Sequence, residues 1–149
     1  MPLDGVWYNE LGSQMQLNVA ADGTITGSYK TAVSESSCTQ GSYTIAGRTK
    51  PAGGDVANVG WVVSWENDQS SCDSVTAWSG EFQMIGNGAA QYETIKTTWL
   101  LTLETDQKDQ WKSTLVGQDI FTRDAPRADQ LKVARATKRY SHPAPSNPK

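Results

Sequence analysis

A chain of 149 residues is long enough to bury a core within one domain. Its formal charge of −3 argues against a nucleic-acid or anionic-membrane surface as the main partner, and no apolar run approaches the length of a membrane span. The total hides an asymmetry: residues 1–124 hold 7 Lys/Arg against 15 Asp/Glu, whereas residues 125–149 hold 6 against 1, so the body and the basic tail are different objects. Six Trp beside two Phe is a further bias. A buried indole needs a partner for its N–H, so this composition fits a Trp-lined pocket as well as it fits a Trp-rich core.

In chain order, residues 5–10 (GVWYNE) read as a short strand. Residues 14–20 alternate, with Met15, Leu17 and Val19 on one face, and the ADG at 21–23 is an Asp-Gly hairpin signal. A third strand, 24–31, is rich in Thr, Tyr and Ile and carries an internal Gly27. The polar loop 33–39 leads to a fourth strand, 41–49, and then to the loop 50–55. The fifth strand, 58–66, places Trp61, Val63 and Trp65 on one side, and the loop 67–73 follows. The sixth, 74–84, aligns Thr76, Trp78, Gly80 and Phe82, before a turn at Gly86, Asn87 and Gly88. Residues 91–104 and 112–123 are the last two strands, joined by the polar loop ETDQKDQ at 104–110. No helix is expected before residue 125. In the tail, 128–140 reads as a weak basic helix, and SHPAPSNPK, with three prolines and the only histidine (His142), reads as disordered.

Eight strands joined by short connections predict antiparallel neighbours and an all-β, up-and-down barrel, 1–124, followed by the tail, 125–149. Such a barrel has room inside for side chains or one small ligand. A seven-strand sandwich is the competing architecture. Within the last hairpin, Trp99, Leu101 and Leu103 share a face, and Leu115, Gly117 and Asp119 share a face, because side chains alternate along a strand. A carboxylate on an apolar face is unfavourable unless something binds it. Asp119 therefore either caps a buried hydrogen-bond network or waits for a ligand's donor.

Enzyme motifs are absent. One tail histidine and two separated cysteines make neither a hydrolytic triad nor a zinc site, no metal site is expected, and no Gly-rich phosphate loop opens a helix. Most of the acids lie in turns or at strand ends, where solvated charge is the ordinary state. Cys38 and Cys72 fall in loops after strands three and five, at the same end of an up-and-down barrel. Their pairing is geometrically plausible and suits an oxidising compartment; two free surface thiols are the alternative.

Six motifs, WYNELGS (7–13), DGTITGSY (22–29), GWVVSW (60–65), TAWSG (76–80), TTWLLT (97–102) and WKSTLVGQDIF (111–121), resemble in order and spacing the avidin/streptavidin family of biotin-binding proteins. The resemblance covers roughly residues 5–122 and implies an eight-stranded barrel that holds biotin non-covalently, without catalysis or a cofactor. It implies that Asn9, Ser13 and Tyr29 donate to the ureido oxygen, and that Asp119 and Thr31 take the ureido N–H groups. It places Thr76 at the thioether sulfur and Ser74 near the valerate carboxylate. Trp65, Trp78 and Trp99, with Leu101, would line the ring, and Trp61 would be core. Val33, Ser34 and Ser36 fall in the loop that closes over the ligand. Trp111 matches a tryptophan lent to a neighbour's pocket, so a homotetramer is favoured over a dimer.

Two features point the other way on assembly. Streptavidin-like chains commonly carry histidine where Gln118 stands, at a subunit interface, and the Cys38/Cys72 pair resembles the loop-to-loop disulfide of some bacterial avidins, dimeric ones included. The expected partners are biotin and biotinylated molecules, with no nucleic acid and no membrane. A secreted or periplasmic location follows if a signal peptide has been removed. Rival readings are a lipocalin-like carrier of another small ligand and an enzyme using Asp119 as acid or base. The basic tail beside an acidic body is expected to lie against the barrel or a neighbour, and a tail residue could occupy an empty pocket mouth at small ordering cost.

Overall fold

Alternating apolar residues drive eight strands here, because each such segment buries one face and solvates the other. In the computed structural model, which describes residues 2–32, 38–50, 56–137 and 141, they are β1 (Gly5–Tyr8), β2 (Gln14–Val19), β3 (Thr24–Lys30), β4 (Tyr43–Thr49), β5 (Val56–Glu66), β6 (Ser71–Ile85), β7 (Tyr92–Leu103) and β8 (Thr114–Thr122). Each pairs antiparallel with its sequence neighbour, and β8 returns to β1 through Tyr8 opposite Thr122, closing the barrel. The expected up-and-down barrel is therefore the observed fold, and the sandwich is excluded.

Local differences from the sequence reading have identifiable causes. Short 3-10 turns at Gly88–Ala90 and Gln107–Lys112 were not expected, since the period-two pattern carries no signal for a single turn of helix. The sixth strand begins at Ser71, so Cys72 lies in a strand and not in a loop; a register shift between Ser64 and Glu66 lets β5 and β6 pair beyond the irregularity. Cys72 is bonded to Cys38 with Cα atoms 5.3 Å apart, as the shared barrel end made plausible.

Inside the barrel, Trp61, Trp78, Trp99 and Gly117 occupy one cross-strand row on β5 to β8. Three indoles fit side by side because the fourth position has no side chain: a Cβ on Gly117 would overlap the ring of Trp99. Trp61 stacks on Trp78 with centroids 5.7 Å apart, which makes it the core residue the resemblance implied. The seam between β8 and β1 is latched by Arg123, which donates to the carbonyls of Pro2, Asp4 and Val6 at 2.6, 3.0 and 3.2 Å, pairs with Glu93, and lies 3.6 Å from the Trp7 ring centroid.

After the barrel, α1 (Ala128–Thr137) realises the described part of the expected basic helix. It docks by Leu131, preceded by Pro126, onto the connection between β1 and β2. There Gly12, at φ +84°, has no Cβ in the way; one would stand 3.1 Å from Leu131 Cδ2. Disorder was expected from Ser141 onward. Within that segment Ser141 is buried, and the remainder lies outside the described residues. Among the described residues no helix is long and apolar enough to cross a membrane.

Candidate functional site

Buried side chains on or next to β1, β3, β5, β6, β7 and β8 gather inside the barrel, polar ones from β1, β3, β6 and β8 and apolar ones from β5 and β7. Asn9 follows β1 and is buried. Its Oδ1 accepts the backbone N–H groups of Leu11 and Ser13 at 3.0 and 2.9 Å, which fixes the side-chain amide and aims Nδ2 at the Tyr29 hydroxyl, 3.4 Å away. Ser13 Oγ accepts the N–H of Ala32 at 3.2 Å, so its own proton is left to donate inward. Tyr29 is fully buried; desolvation, with the nearby charge of Asp119, raises its pKa further above the usual phenol value and keeps it a donor. Asn9, Ser13 and Tyr29 thus converge as a donor cluster for a carbonyl oxygen.

Asp119 supplies the opposite character. Trp78 Nε1 donates to its Oδ2 at 2.9 Å, and among the described residues no hydrogen bond of good geometry reaches its Oδ1, although the residue is 1% exposed. Burial pushes its pKa up to about 6, with the charge of Glu10 adding to the rise; the Trp78 N–H, Ser141 and Asn9 pull in the other direction. Position on the strand was legible by alternation, whereas its neighbour across the ladder was not read: the Thr97 hydroxyl donates to the Asp119 backbone carbonyl at 2.9 Å, holding the β8 backbone at this point.

The walls are aromatic. Trp65, Trp78 and Trp99 are all buried; Trp65 Nε1 donates to Thr76 Oγ1 at 2.7 Å, while Trp99 Nε1 has no partner among the described residues. Leu101 is buried one step along β7 from Trp99, on the same face. Tyr43, which the sequence reading did not single out, is buried with its ring 5.0 Å from that of Trp65 and its hydroxyl 3.0 Å from Ser70 Oγ; its place on the inward face of β4 was the available signal. Ser74 is buried and its hydroxyl has no partner among the described residues, and Thr31 is half-buried just after β3.

The structure therefore brings together Asn9, Ser13, Tyr29, Trp65, Ser74, Thr76, Trp78, Trp99, Leu101 and Asp119, with Thr31 near the rim. Trp111 is not among them: it sits in the 3-10 turn before β8, 79% exposed. Val33, Ser34 and Ser36 lie outside the described residues. One residue of the tail joins the cluster. The Thr76 hydroxyl donates to the backbone carbonyl of Ser141 at 2.6 Å. Among the described residues no group of His, Cys, Asp and Glu is arranged to hold a metal ion.

Chemically, this is a deep site with a fixed donor cluster facing a desolvated acceptor, between flat apolar rings. It suits a small, planar, polar-edged molecule. The avidin family model matches residues 1–124, the whole barrel. The chain is 37% identical to avidin from Gallus gallus over 130 residues, covering 81% of this chain and 77% of that one. It is 29% identical to afifavidin from Afifella pfennigii over 116 residues, 78% of this chain and 65% of that protein. It is also 30% identical, over 122 residues, to a segment making up 11% of fibropellin-1 from Strongylocentrotus purpuratus. A closed eight-stranded barrel of this topology, matched over its full length, identifies the chain as a member of the avidin family.

Proposed function

We propose that the barrel captures biotin non-covalently and without turnover. The observation that carries this reading is the buried Oδ1 of Asp119, without a partner among the described residues, set beside the Asn9, Ser13 and Tyr29 donors. A cyclic urea presents an N–H to the first and a carbonyl oxygen to the second. Donors held in place before the ligand arrives favour a polarised carbonyl without further reorganisation, and Trp65, Trp78 and Trp99 supply flat apolar contact for the fused ring. Ser74 and Thr76 remain for the side-chain carboxylate and the thioether. Thr31, at the rim, would take the second N–H.

Assembly belongs to the same proposal. Val62, Leu100 and Val116 are 43, 49 and 51% exposed and lie, with Ala77, in one cross-strand row on the outer face of β5 to β8. A continuous apolar stripe of this kind fits a face covered by a second copy. With the exposed Trp111 it supports a homotetramer, in which that indole completes a neighbour's pocket. The disulfide supports an oxidising, extracytoplasmic location.

Calorimetric titration with free biotin tests the ligand. Tight one-to-one binding per chain is expected. Asp119→Ala should weaken it by roughly 1.5–3 kcal/mol, the scale of a hydrogen bond to a charged group, and Trp99→Ala by at least about 2 kcal/mol, as for an aromatic anchor. Absent or millimolar binding would favour a carrier of a different small ligand, and product formation would make the barrel an enzyme.

A further inference from the structure

The peptide unit between Asp119 and Ile120 is held from both sides by side chains. It is trans, so its C=O and its N–H point in opposite directions. On the β7 side the Thr97 hydroxyl donates to the Asp119 carbonyl at 2.9 Å. On the other side β8 has no strand beside it at this level among the described residues, because β1 ends at Tyr8 and meets β8 opposite Thr122. The Ile120 N–H donates there to Glu10 Oε1 at 2.8 Å. Glu10 thus provides from its side chain the acceptor that a longer β1 would have provided from its backbone.

Glu10 belongs to the turn that carries two of the three donors. The Asn9 N–H donates to the Ser13 carbonyl and the Gly12 N–H to the Asn9 carbonyl, both at 3.0 Å, while Asn9 Oδ1 takes the N–H groups of Leu11 and Ser13. Residues 9–13 are thereby one closed unit. Asn9 and Ser13 stand on one side of the β1–β8 seam and Asp119 stands on the other, and the bond from Ile120 to Glu10 crosses that seam between residues 110 positions apart. Arg123 fastens the far end of the same seam, at the carbonyls of Pro2, Asp4 and Val6. The end beside the site falls to Glu10.

We propose that Glu10 is a positioning residue of the ligand site: by holding the Ile120 N–H through Oε1 it sets the spacing between the Asp119 carboxylate and the donors Asn9 and Ser13 across the seam. The effect on binding rests on a cyclic urea being the ligand, while the hold on the peptide does not. A rigid urea presents its carbonyl oxygen and its N–H at a fixed separation, so a small misplacement of the acceptor is felt in full. Glu10 acts through the backbone, and its charge leaves a second signature. Burial first, and the charge of Glu10 after it, raise the proton affinity of Asp119. The remaining ionisable groups around the pair are differently placed. Tyr29 faces Asp119 from β3 and stays protonated. Lys96, opposite Ile120 on β7, is exposed, and Asp124 and Arg127, which share with Glu10 a cavity of about 540 Å³, are exposed and screened by solvent.

The test uses the full chain and two variants. Glu10→Gln keeps an oxygen acceptor at the same reach and removes the charge; Glu10→Ala removes both. At about pH 8 the release of labelled biotin should be close to the parent's in Glu10→Gln and about tenfold or more faster in Glu10→Ala, since losing a group that orients a binding side chain shows mostly in release. The pH at which biotin affinity rises should fall in both variants, because a like charge beside Asp119 is gone. A merely structural role would not move that midpoint, and Glu10→Gln decides by it alone if Glu10→Ala does not fold. Release equally slow in all three chains, release equally fast in both variants, or a midpoint unmoved in both would each overturn the proposal. If no chain binds biotin, the ligand assignment fails on its own. The hold on the peptide is then read without ligand: the Ile120 amide should exchange slowly with solvent in the parent and in Glu10→Gln and rapidly in Glu10→Ala, and equal exchange in all three would end it.

Discussion

Asp119 bears on stability through its burial and, in the proposed function, on recognition. Its carboxyl is protonated in folded and unfolded chains below the ordinary value of 3.8; between 3.8 and about 6 only the folded chain holds the proton. Its contribution to stability is therefore fully present at low pH and is lost as pH rises through about 6. The size is on the order of 3 kcal/mol by the conversion of pKa difference to free energy. Urea unfolding of the ligand-free parent and of Asp119→Asn, compared between pH 3.5 and 7, should show the difference between them changing across that window and flat above it. Recognition has the opposite sense. In the proposed function the ionised form accepts the ligand N–H, so biotin affinity should rise with pH through about 6 in the parent and stay level in Asp119→Asn. A parent affinity independent of pH from 4.5 to 7.5 would remove Asp119 from the ligand.

At the scale of elements, the disulfide joins the segment leaving β3 to the first turn of pairing in β6. A bond spanning 34 residues restricts the unfolded chain by roughly 3–4 kcal/mol in the entropy model. It also ties down Cys38 in the connection between β3 and β4; if that connection covers the ligand as proposed, the bond lowers the ordering cost of closure. Thiol labelling of non-reduced protein should find no free cysteine, and reduction should lower the melting temperature and speed biotin release. Reduction that lowers the melting temperature but leaves the release rate unchanged would confine the bond to a structural role.

For the whole molecule, the distribution of surface decides assembly. The indole of Trp111 is 79% exposed, and the only ring contact it makes among the described residues is with Lys112, whose ammonium lies 5.1 Å from the centroid. Exposure of that much aromatic surface, together with the outer stripe of Val62, Leu100 and Val116, is what a second copy would cover. Sedimentation should give a tetramer for the parent. Trp111→Ala should weaken biotin binding by about 2 kcal/mol or more, as for an interfacial aromatic anchor. A monomer, or an affinity unchanged by Trp111→Ala, would return that residue to the solvent.

How much was legible in the sequence follows from the range of the forces involved. Alternation is local, so the strands and the inward faces holding Trp65, Trp78, Trp99, Leu101 and Asp119 could be read directly, and short connections allowed the antiparallel barrel. Strand ends were less legible: β6 reaches back to Cys72 because pairing with β5 resumes past a register shift, a cross-strand event with no local mark. The aromatic row of Trp61, Trp78, Trp99 and Gly117 is likewise a property of register, and the need for glycine at its end appears only when the indole of Trp99 is in place. The tail divides in the same way. Composition showed a basic helix followed by a Pro-containing segment, and charge asymmetry placed it near the acidic body. That Ser141 reaches the barrel interior depends on the seat of Leu131 over Gly12 and on the Thr76 hydroxyl, which donates to the Ser141 carbonyl. Those contacts join residues 119 and 65 positions apart, a separation at which sequence pattern has no reach and only the folded chain brings the groups together.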